Sequence, residues 1–155
     1  MPPLRTYSDG KNIYSVDMML AYINSNKNPI QEFSIEEFIP QLTQPVWGDW
    51  SPLTVIQNMD KKKYAANAER IRKANLTYPI IITGKPTPQT RLHSIVDGYH
   101  RISRAHLEGK TTIKAYVFEK SLMNKFILDK DSDFVKVHQH MSVSDILELY
   151  IKRFC

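Results

Sequence analysis

The chain has 155 residues, of which 42% are hydrophobic and 24% are charged, and its formal net charge is +5. These values predict one globular domain with a hydrophobic core. No apolar run approaches the roughly 18 residues that span a bilayer, and the first residues lack the apolar stretch of a secretory signal. We therefore expect a cytoplasmic protein with no membrane partner. The one cysteine, Cys155, excludes a disulfide framework and a zinc site built from thiolates.

The first third of the chain carries two helix-start signals. Apolar residues at helical spacing predict a helix over residues 14–24, which Ser15 or Asp17 can cap. The segment Ser34-Ile35-Glu36-Glu37 has the spacing of a capping box, in which a hydroxyl and a carboxylate satisfy each other's backbone donors. We expect the helix that it opens to end near Pro40.

Two tryptophans, Trp47 and Trp50, lie on a loop just before Ser51 and Pro52, which are typical of an N-cap and a first helical residue. Two large rings on a loop usually cover a hydrophobic core. The alternative is a lid, in which an aromatic face stacks on a ligand and Asp49 accepts a hydrogen bond.

A helix is predicted over residues 60–74. Its apolar stripe consists of Tyr64, Ala68 and Ile71, and the adjoining stripe consists of Lys63, Asn67 and Arg70. Much of the positive charge of the chain falls on this helix and on the lysines that open it. Such a pattern fits an anionic partner, either a nucleotide or a nucleic acid, and it equally fits an ordinary solvated helix face.

Strands and helices alternate in the next part of the chain. Two β-branched runs predict buried strands that form the centre of the sheet, and a helix and a further strand follow. The predicted elements are strands at residues 78–83 and 93–97, a helix at 99–108 closed by Gly109 as a left-handed cap, and a strand at 111–118. This order predicts an α/β domain.

The C-terminal part is predicted to be helical over residues 120–128 and 142–154. The acidic segment at 129–133 lacks the glycine and glutamate positions of an EF-hand and is therefore interpreted as a solvated loop. His138 and His140 would point to one face of a strand, which leaves a metal pair as an alternative to exposed polar residues.

The segment from Ile95 to Arg101 is typical of a phosphate-binding turn. An apolar strand leads into Asp97 and Gly98, and a helix with His100 and Arg101 in its first turn follows. A helix start offers unpaired backbone N–H groups, and an arginine adds a bidentate donor for phosphate oxygens. Asp97 is placed to hold a metal ion or to orient a hydroxyl.

The order strand, Asp97-Gly98-Tyr99-His100-Arg101, helix, Gly109, strand resembles the core motif of the ParB/sulfiredoxin-like superfamily. The resemblance implies a ParB/sulfiredoxin-like domain, a small mixed sheet flanked by helices with extra N- and C-terminal helices. A single domain over residues 1–155 is expected, with its core at about 44–118, an N-terminal helical extension at 1–43 and C-terminal helices at 119–155.

The resemblance also implies a ligand, because related proteins hold nucleotide phosphates at this turn. ATP, ADP or CTP, or another phosphate-bearing ligand, is the expected partner. Its predicted binding residues are Gly98, Tyr99, His100 and Arg101 at the turn and Lys63, Asn67 and Arg70 on the preceding helix. Tyr99 stands where sulfiredoxins have a nucleophilic cysteine, so reduction of a sulfinic acid is excluded.

Within the superfamily, free-serine kinases have the most similar turn, which implies a Mg²⁺-dependent phosphotransferase or nucleotide hydrolase. His100 and Arg101 would neutralise phosphate charge, and Asp97 would hold Mg²⁺ or the acceptor hydroxyl. An upstream carboxylate would take the proton of that hydroxyl; Glu32 is the first candidate, and the others are Glu36, Glu37 and Asp49. A ParB-like nuclease or DNA-binding protein is one alternative. A noncatalytic nucleotide-sensing interaction module is the other.

Overall fold

The computed structural model describes residues 5–26, 28–84 and 93–129. The described strands are β1 Thr6–Ser8, β2 Ile13–Ser15, β3 Ile30–Ser34, β4 Ile80–Thr83, β5 Ile95–Asp97, β6 Thr112–Phe118 and β7 Ile127–Asp129. The described α-helices are α1 Val16–Ser25, α2 Ile39–Leu42, α3 Pro52–Gln57, α4 Ala65–Lys73, α5 Tyr99–Leu107 and α6 Lys120–Met123. The described residues thus form a mixed α/β structure with two small sheets, which confirms the predicted class.

The chain divides into two compact units. We call Pro29–Phe118 the central unit, and Met1–Asn28 together with Glu119–Cys155 the terminal unit. The terminal unit has an antiparallel sheet in the order β1-β2-β7, together with α1 and α6. Strands β1 and β2 have no counterpart in the predicted elements.

Helix α1 begins at Val16, close to the predicted start at residue 14. The hydroxyl of Ser15 accepts a hydrogen bond from the backbone N–H of Met18 at 3.1 Å, so Ser15 is the N-cap and Asp17 lies in the first turn. Its buried residues Met18 and Met19 are fully shielded from solvent. The predicted helix is therefore confirmed, with its start two residues later than expected.

The sheet of the central unit has the order β3-β6-β4-β5. Strands β6 and β4 are parallel, and the two outer pairings are antiparallel. The prediction that β4 and β5 form the centre of the sheet is wrong for β5, which lies at an edge. The additional strand is β3; its residues are mostly exposed, so it lacks the apolar alternation that marks a strand in a sequence.

The core of the central unit lies between one face of this sheet and the helices. Strand β4 is buried along Ile80, Ile81 and Ile82, as its β-branched run predicts. The buried residues of the main cluster come from the sheet, from α5 and from the segment around α2: Ile35, Phe38, Leu42, Ile80, Ile82, Ile95, Ile102, Ala105, Ile113 and Ala115. This packing fixes the start of α5 against the end of the sheet.

The predicted capping box at Ser34 is wrong. Ser34 is the last residue of β3, its side chain makes no cap hydrogen bond, and the N–H of Ile35 is donated to the carbonyl of Thr111 at 3.0 Å. A 3-10 segment over Ile35–Phe38 then leads into α2, which carries Pro40 in its first turn instead of ending there. Pairing with the neighbouring strand thus replaces the local cap.

Other predicted boundaries shift by a few residues. Helix α4 begins at Ala65 after a 3-10 segment over Lys62–Tyr64, so the predicted start at Asp60 is wrong. Its predicted apolar stripe is confirmed, since Tyr64, Ala68 and Ile71 are buried. The predicted N-cap at Ser51 is also confirmed, because its hydroxyl accepts from the N–H of Thr54 at 3.1 Å.

Towards the C-terminal end of the described chain, the structure confirms one prediction and corrects another. Gly109 closes α5 with a φ of 75°, and the N–H of Lys110 is donated to the carbonyl of Ala105 at 2.9 Å, which confirms the left-handed cap. The segment predicted as helix over 120–128 continues from α6 through a 3-10 segment into β7. The predicted helix at 142–154 and the histidines His138 and His140 lie outside the described residues.

No helix within the described ranges has the length and apolar character needed to cross a membrane.

Candidate functional site

The turn between β5 and α5 is built by Gly98. This residue is buried, has a φ of 118° and precedes the first residue of α5, with no side-chain cap on the helix. A Cβ added at this position would lie 2.4 Å from Cγ2 of Ile80. The glycine is therefore required by the close approach of β4 as well as by the left-handed backbone.

Arg101 turns its guanidinium toward the protein. Its Nη2 donates to Oδ2 of Asp97 at 2.9 Å, and its Nη1 donates to the carbonyl oxygens of Pro79 at 2.7 Å and Tyr78 at 3.4 Å. The side chains of Arg101 and Asp97 are only 18% and 25% exposed. The pair therefore ties the turn to the segment that enters β4, and the arginine fork expected to hold phosphate is already occupied.

His100 lies flat against Trp47 and bonds to α4. The two rings are stacked with centroids 4.3 Å apart and an angle of 14°, and His100 Nε2 lies 3.0 Å from Oδ1 of Asn67. Burial, and to a smaller extent the positive charge of Arg70, lower the pKa of His100 from 6.5 to about 4. The imidazole is thus neutral at pH 7 and contributes no positive charge to a phosphate site, contrary to the expected role.

Helix α4 places two of its three predicted ligand-binding residues beside His100. Asn67 bonds to His100, and Arg70, one turn later, is exposed and acts electrostatically on the same imidazole. The third predicted residue, Lys63, precedes α4, and its ammonium lies 5.1 Å from the centre of the Tyr64 ring. We call Trp47, Asn67, Arg70 and His100 the His100 cluster.

The side chains of Tyr99 and Glu32 do not belong to the His100 cluster. Tyr99 packs against the main core cluster, and its carbonyl accepts from the Ser103 hydroxyl at 2.6 Å. Glu32 lies on β3, where its carboxylate accepts from the hydroxyl of Thr112 at 2.8 Å. Strands β3 and β5 are opposite edges of the sheet, three strand spacings apart, which corresponds to about 14 Å. The structure therefore does not bring Glu32 to the turn.

Trp47 is the one residue of the His100 cluster that the sequence analysis did not assign to the phosphate-binding site. Trp47 and Trp50 exchange backbone hydrogen bonds of 3.1 and 3.2 Å, and both rings pack against the small core cluster of Val55, Tyr64 and Ile71. This agrees with the interpretation of the loop as a cover for the core. Its second role, as the stacking partner of His100, has only one signal in the sequence, the presence of two large rings on a short loop.

No family model matches this chain, and no curated protein or solved structure matches it. The ParB/sulfiredoxin-like assignment therefore stays a prediction, based on the residues of the turn and the order of the elements around it.

The arrangement combines four chemical features at one corner of the central unit. The first N–H groups of α5 have no acceptor within the helix, and the positive end of the helix dipole lies there. Arg70 adds a positive charge, Asn67 an amide, and His100 a neutral ring nitrogen. Such a corner can bind an anion through backbone amides and one guanidinium, with Asp97 and Arg101 holding the turn in place.

Proposed function

We propose that the central unit is a ParB/sulfiredoxin-like domain that binds a phosphate-bearing ligand at the start of α5. The proposed ligand is a nucleotide. The observation that carries the proposal is the meeting of Asn67 and Arg70 of α4 with His100 in the first turn of α5. These three residues come from two segments that are more than 25 residues apart in the chain, and the resemblance implies phosphate contacts from both segments.

The electrostatics of the corner support an anionic ligand. Arg70 is exposed and makes no ion pair or hydrogen bond with another described residue, whereas its neighbours Arg72 and Lys73 both pair with Glu69. A guanidinium without an internal partner retains all its donors for a ligand, and the helix dipole acts in the same direction. Arg101 contributes indirectly, by holding the turn.

The resemblance further implies Mg²⁺ and phosphoryl transfer. Asp97 is the residue that would hold the metal, but its carboxylate already accepts from Arg101. Within the described ranges, no three His, Cys, Asp or Glu side chains are grouped so that they could hold a metal ion. The residues thus do not form a ready metal site, and we limit the proposal to binding and derive no metal-dependent step.

Of the alternative functions, a nucleotide-sensing module has one specific observation in its favour. The His100 ring is stacked on Trp47, whose loop covers the small core cluster. A ligand that contacts His100 would therefore change the environment of the Trp47 ring and of its loop. A change in tryptophan fluorescence on ligand binding is the expected signature.

Thermal unfolding of the full chain with ATP, ADP, CTP or a short DNA duplex, each with and without Mg²⁺, tests the proposal. A nucleotide at 100 times its dissociation constant should add about 2.7 kcal/mol to the free energy of unfolding and raise the midpoint by several degrees. Arg70→Gln should abolish this shift. The matched control is Arg72→Gln on the same helix, which should retain it because Arg72 pairs with Glu69. Equal shifts in the two variants, or no shift with any nucleotide, would contradict the proposal.

A further inference from the structure

A second group of polar side chains lies at the carboxyl end of β4. Thr83 is the last residue of this strand, and His93 is bonded to it just before β5 begins. Strands β4 and β6 are parallel, and ligands of α/β sheets commonly bind beyond the carboxyl ends of such strands. The start of α5 is bonded through Arg101 to residues that precede β4, at the opposite end of this strand. The second group is therefore separate from the proposed phosphate site.

The hydrogen bond between His93 and Thr83 determines which ring nitrogen can bind a cation. Nδ1 of His93 lies 2.7 Å from the carbonyl oxygen of Thr83, and a carbonyl oxygen can only accept a hydrogen bond. Nδ1 must therefore carry a proton, and in the neutral ring Nε2 has a lone pair. Histidines that bind metal ions usually donate from their other ring nitrogen to an oxygen in this way.

The carboxylate of Glu37 lies next to this lone pair. Nε2 of His93 is 3.8 Å from Oε1 of Glu37, which is too long for a hydrogen bond, and the two side chains are only 13% and 23% exposed. No lysine or arginine of the described ranges forms an ion pair with Glu37. A nitrogen lone pair and a negative charge thus lie side by side in a partly buried position, which a cation would stabilise.

Both donors are held in place by the fold. Gln41 donates to the backbone carbonyl of His93 at 2.6 Å, and the His93 ring packs edge-on against Phe33 with centroids 5.1 Å apart. Glu37 belongs to the 3-10 segment that leads into α2, and its neighbour Phe38 is fully buried. Binding an ion here would therefore require little ordering of the chain.

The distance between the two donors suits a metal ion with nitrogen and oxygen ligands. Bonds from Zn²⁺ to such ligands are about 2.0–2.2 Å long, so a tetrahedral ion holds two of them about 3.4 Å apart. A small rotation of the Glu37 side chain would close the separation from 3.8 Å to this value. Imidazole nitrogen favours Zn²⁺ and its neighbours in the first transition row, whereas Mg²⁺ and Ca²⁺ prefer oxygen ligands alone.

We propose that Nε2 of His93 and the carboxylate of Glu37 bind a divalent metal ion of the Zn²⁺ type. The ion would link the 3-10 segment before α2 to the residues that lead into β5. The described residues supply two protein ligands and not three, so water completes the coordination and the affinity is lower than that of a structural zinc site. This inference goes beyond the proposed function and does not depend on it.

Calorimetric titration of the full chain with ZnCl₂ at pH 7, in a buffer without phosphate, tests the proposal. The starting protein carries His138→Gln and His140→Gln, because these two histidines lie outside the described residues and could bind Zn²⁺ themselves. We expect one binding event in this protein. MgCl₂ added in excess should not displace the Zn²⁺, since Mg²⁺ binds imidazole poorly.

Single substitutions in the starting protein locate the ion. His93→Gln and Glu37→Gln should each weaken Zn²⁺ binding about tenfold or more, because losing even an outer partner of a metal ligand costs about 10–100-fold in affinity. The matched controls are His106→Gln on α5 and Glu36→Gln in the same 3-10 segment, and both should retain the affinity. Circular dichroism checks that each variant is folded.

Two results would overturn this inference. The first is the absence of Zn²⁺ binding by the starting protein, and the second is equal affinity in the His93→Gln and His106→Gln variants, which would place the ion elsewhere. Thermal unfolding gives an independent measurement, because Zn²⁺ should raise the midpoint of the starting protein and not that of His93→Gln. Failure to bind nucleotides would contradict only the proposed function, since the two sites lie at opposite ends of β4.

Discussion

At the scale of single residues, the position of His100 determines its charge. Its pKa is lowered from 6.5 to about 4 in the folded chain, first by burial and then by Arg70. Between these two pH values the unfolded chain binds more protons than the folded chain at this residue. The free energy of unfolding should therefore fall as the pH is lowered through this range.

We expect the contribution of His100 to be present above about pH 6.5 and to be lost progressively down to about pH 4. The loss should be roughly 1–2 kcal/mol, allowing for the partial exposure of the ring. Urea unfolding at pH 7 and pH 4.5 measures it, with His100→Gln as the reference for the other titrating groups. A pH dependence that is identical in the two proteins would show that the ring is not held neutral.

At the scale of elements, the junction of β5 and α5 depends on close packing between backbone and side chain. A methyl group at Gly98 would collide with Ile80 and would force a positive φ on alanine. At Gly109 the φ is also positive, but nothing lies within 4 Å of an added Cβ. The two glycines therefore separate the cost of the clash from the cost of the backbone conformation.

Gly98→Ala should lower the free energy of unfolding by about 3–4 kcal/mol, from backbone strain and overpacking together. Gly109→Ala should cost about 1 kcal/mol, because only the left-handed conformation is penalised. Chemical denaturation of both variants measures the difference. Equal losses would mean that Ile80 moves aside easily and does not constrain the turn.

Among the described residues, the outer edge of β5 contacts a side chain and not another strand. Gln41 of α2 donates from Nε2 to the carbonyl of His93 at 2.6 Å and accepts from the N–H of Ile95 at 2.8 Å. One amide thus satisfies two backbone groups on either side of Ser94, as a neighbouring strand would do. This contact determines where β5 begins, and its partners are more than 50 residues apart in the sequence.

At the scale of the whole molecule, sheet order decides which residues can act together. Glu32 and Asp97 lie on the two edge strands of the central unit, about 14 Å apart by strand spacing. A carboxylate that far away cannot take a proton from an acceptor held at Asp97, since proton transfer needs hydrogen-bond distance. Glu32 is therefore a surface residue of β3.

We expect Glu32→Gln to leave nucleotide binding, and any nucleotide turnover, unchanged within error. Its effect on stability should stay within about 0.5 kcal/mol, as is usual for exposed positions. Calorimetry with a nucleotide and a phosphate-release assay provide the two measurements. Loss of activity without loss of folding would mean that Glu32 reaches the turn in the bound state.

The sequence by itself determined the features that depend on near neighbours. The β-branched run of β4, the N-caps at Ser15 and Ser51, and the left-handed end of α5 at Gly109 all follow from conformational preferences of a few adjacent residues. The turn at Gly98 belongs to the same group. These preferences act within one or two turns of chain, so they can be recognised without a structure.

Only the tertiary structure decided the state of the side chains at the turn. Arg101 is occupied by Asp97 and Pro79, and His100 is neutral because burial and the charge of Arg70 lower its pKa. The order of the strands, which separates Glu32 from the turn, has the same origin. Hydrogen-bond partners and pKa values depend on burial and on charges from distant parts of the chain, and local sequence patterns carry no information about either.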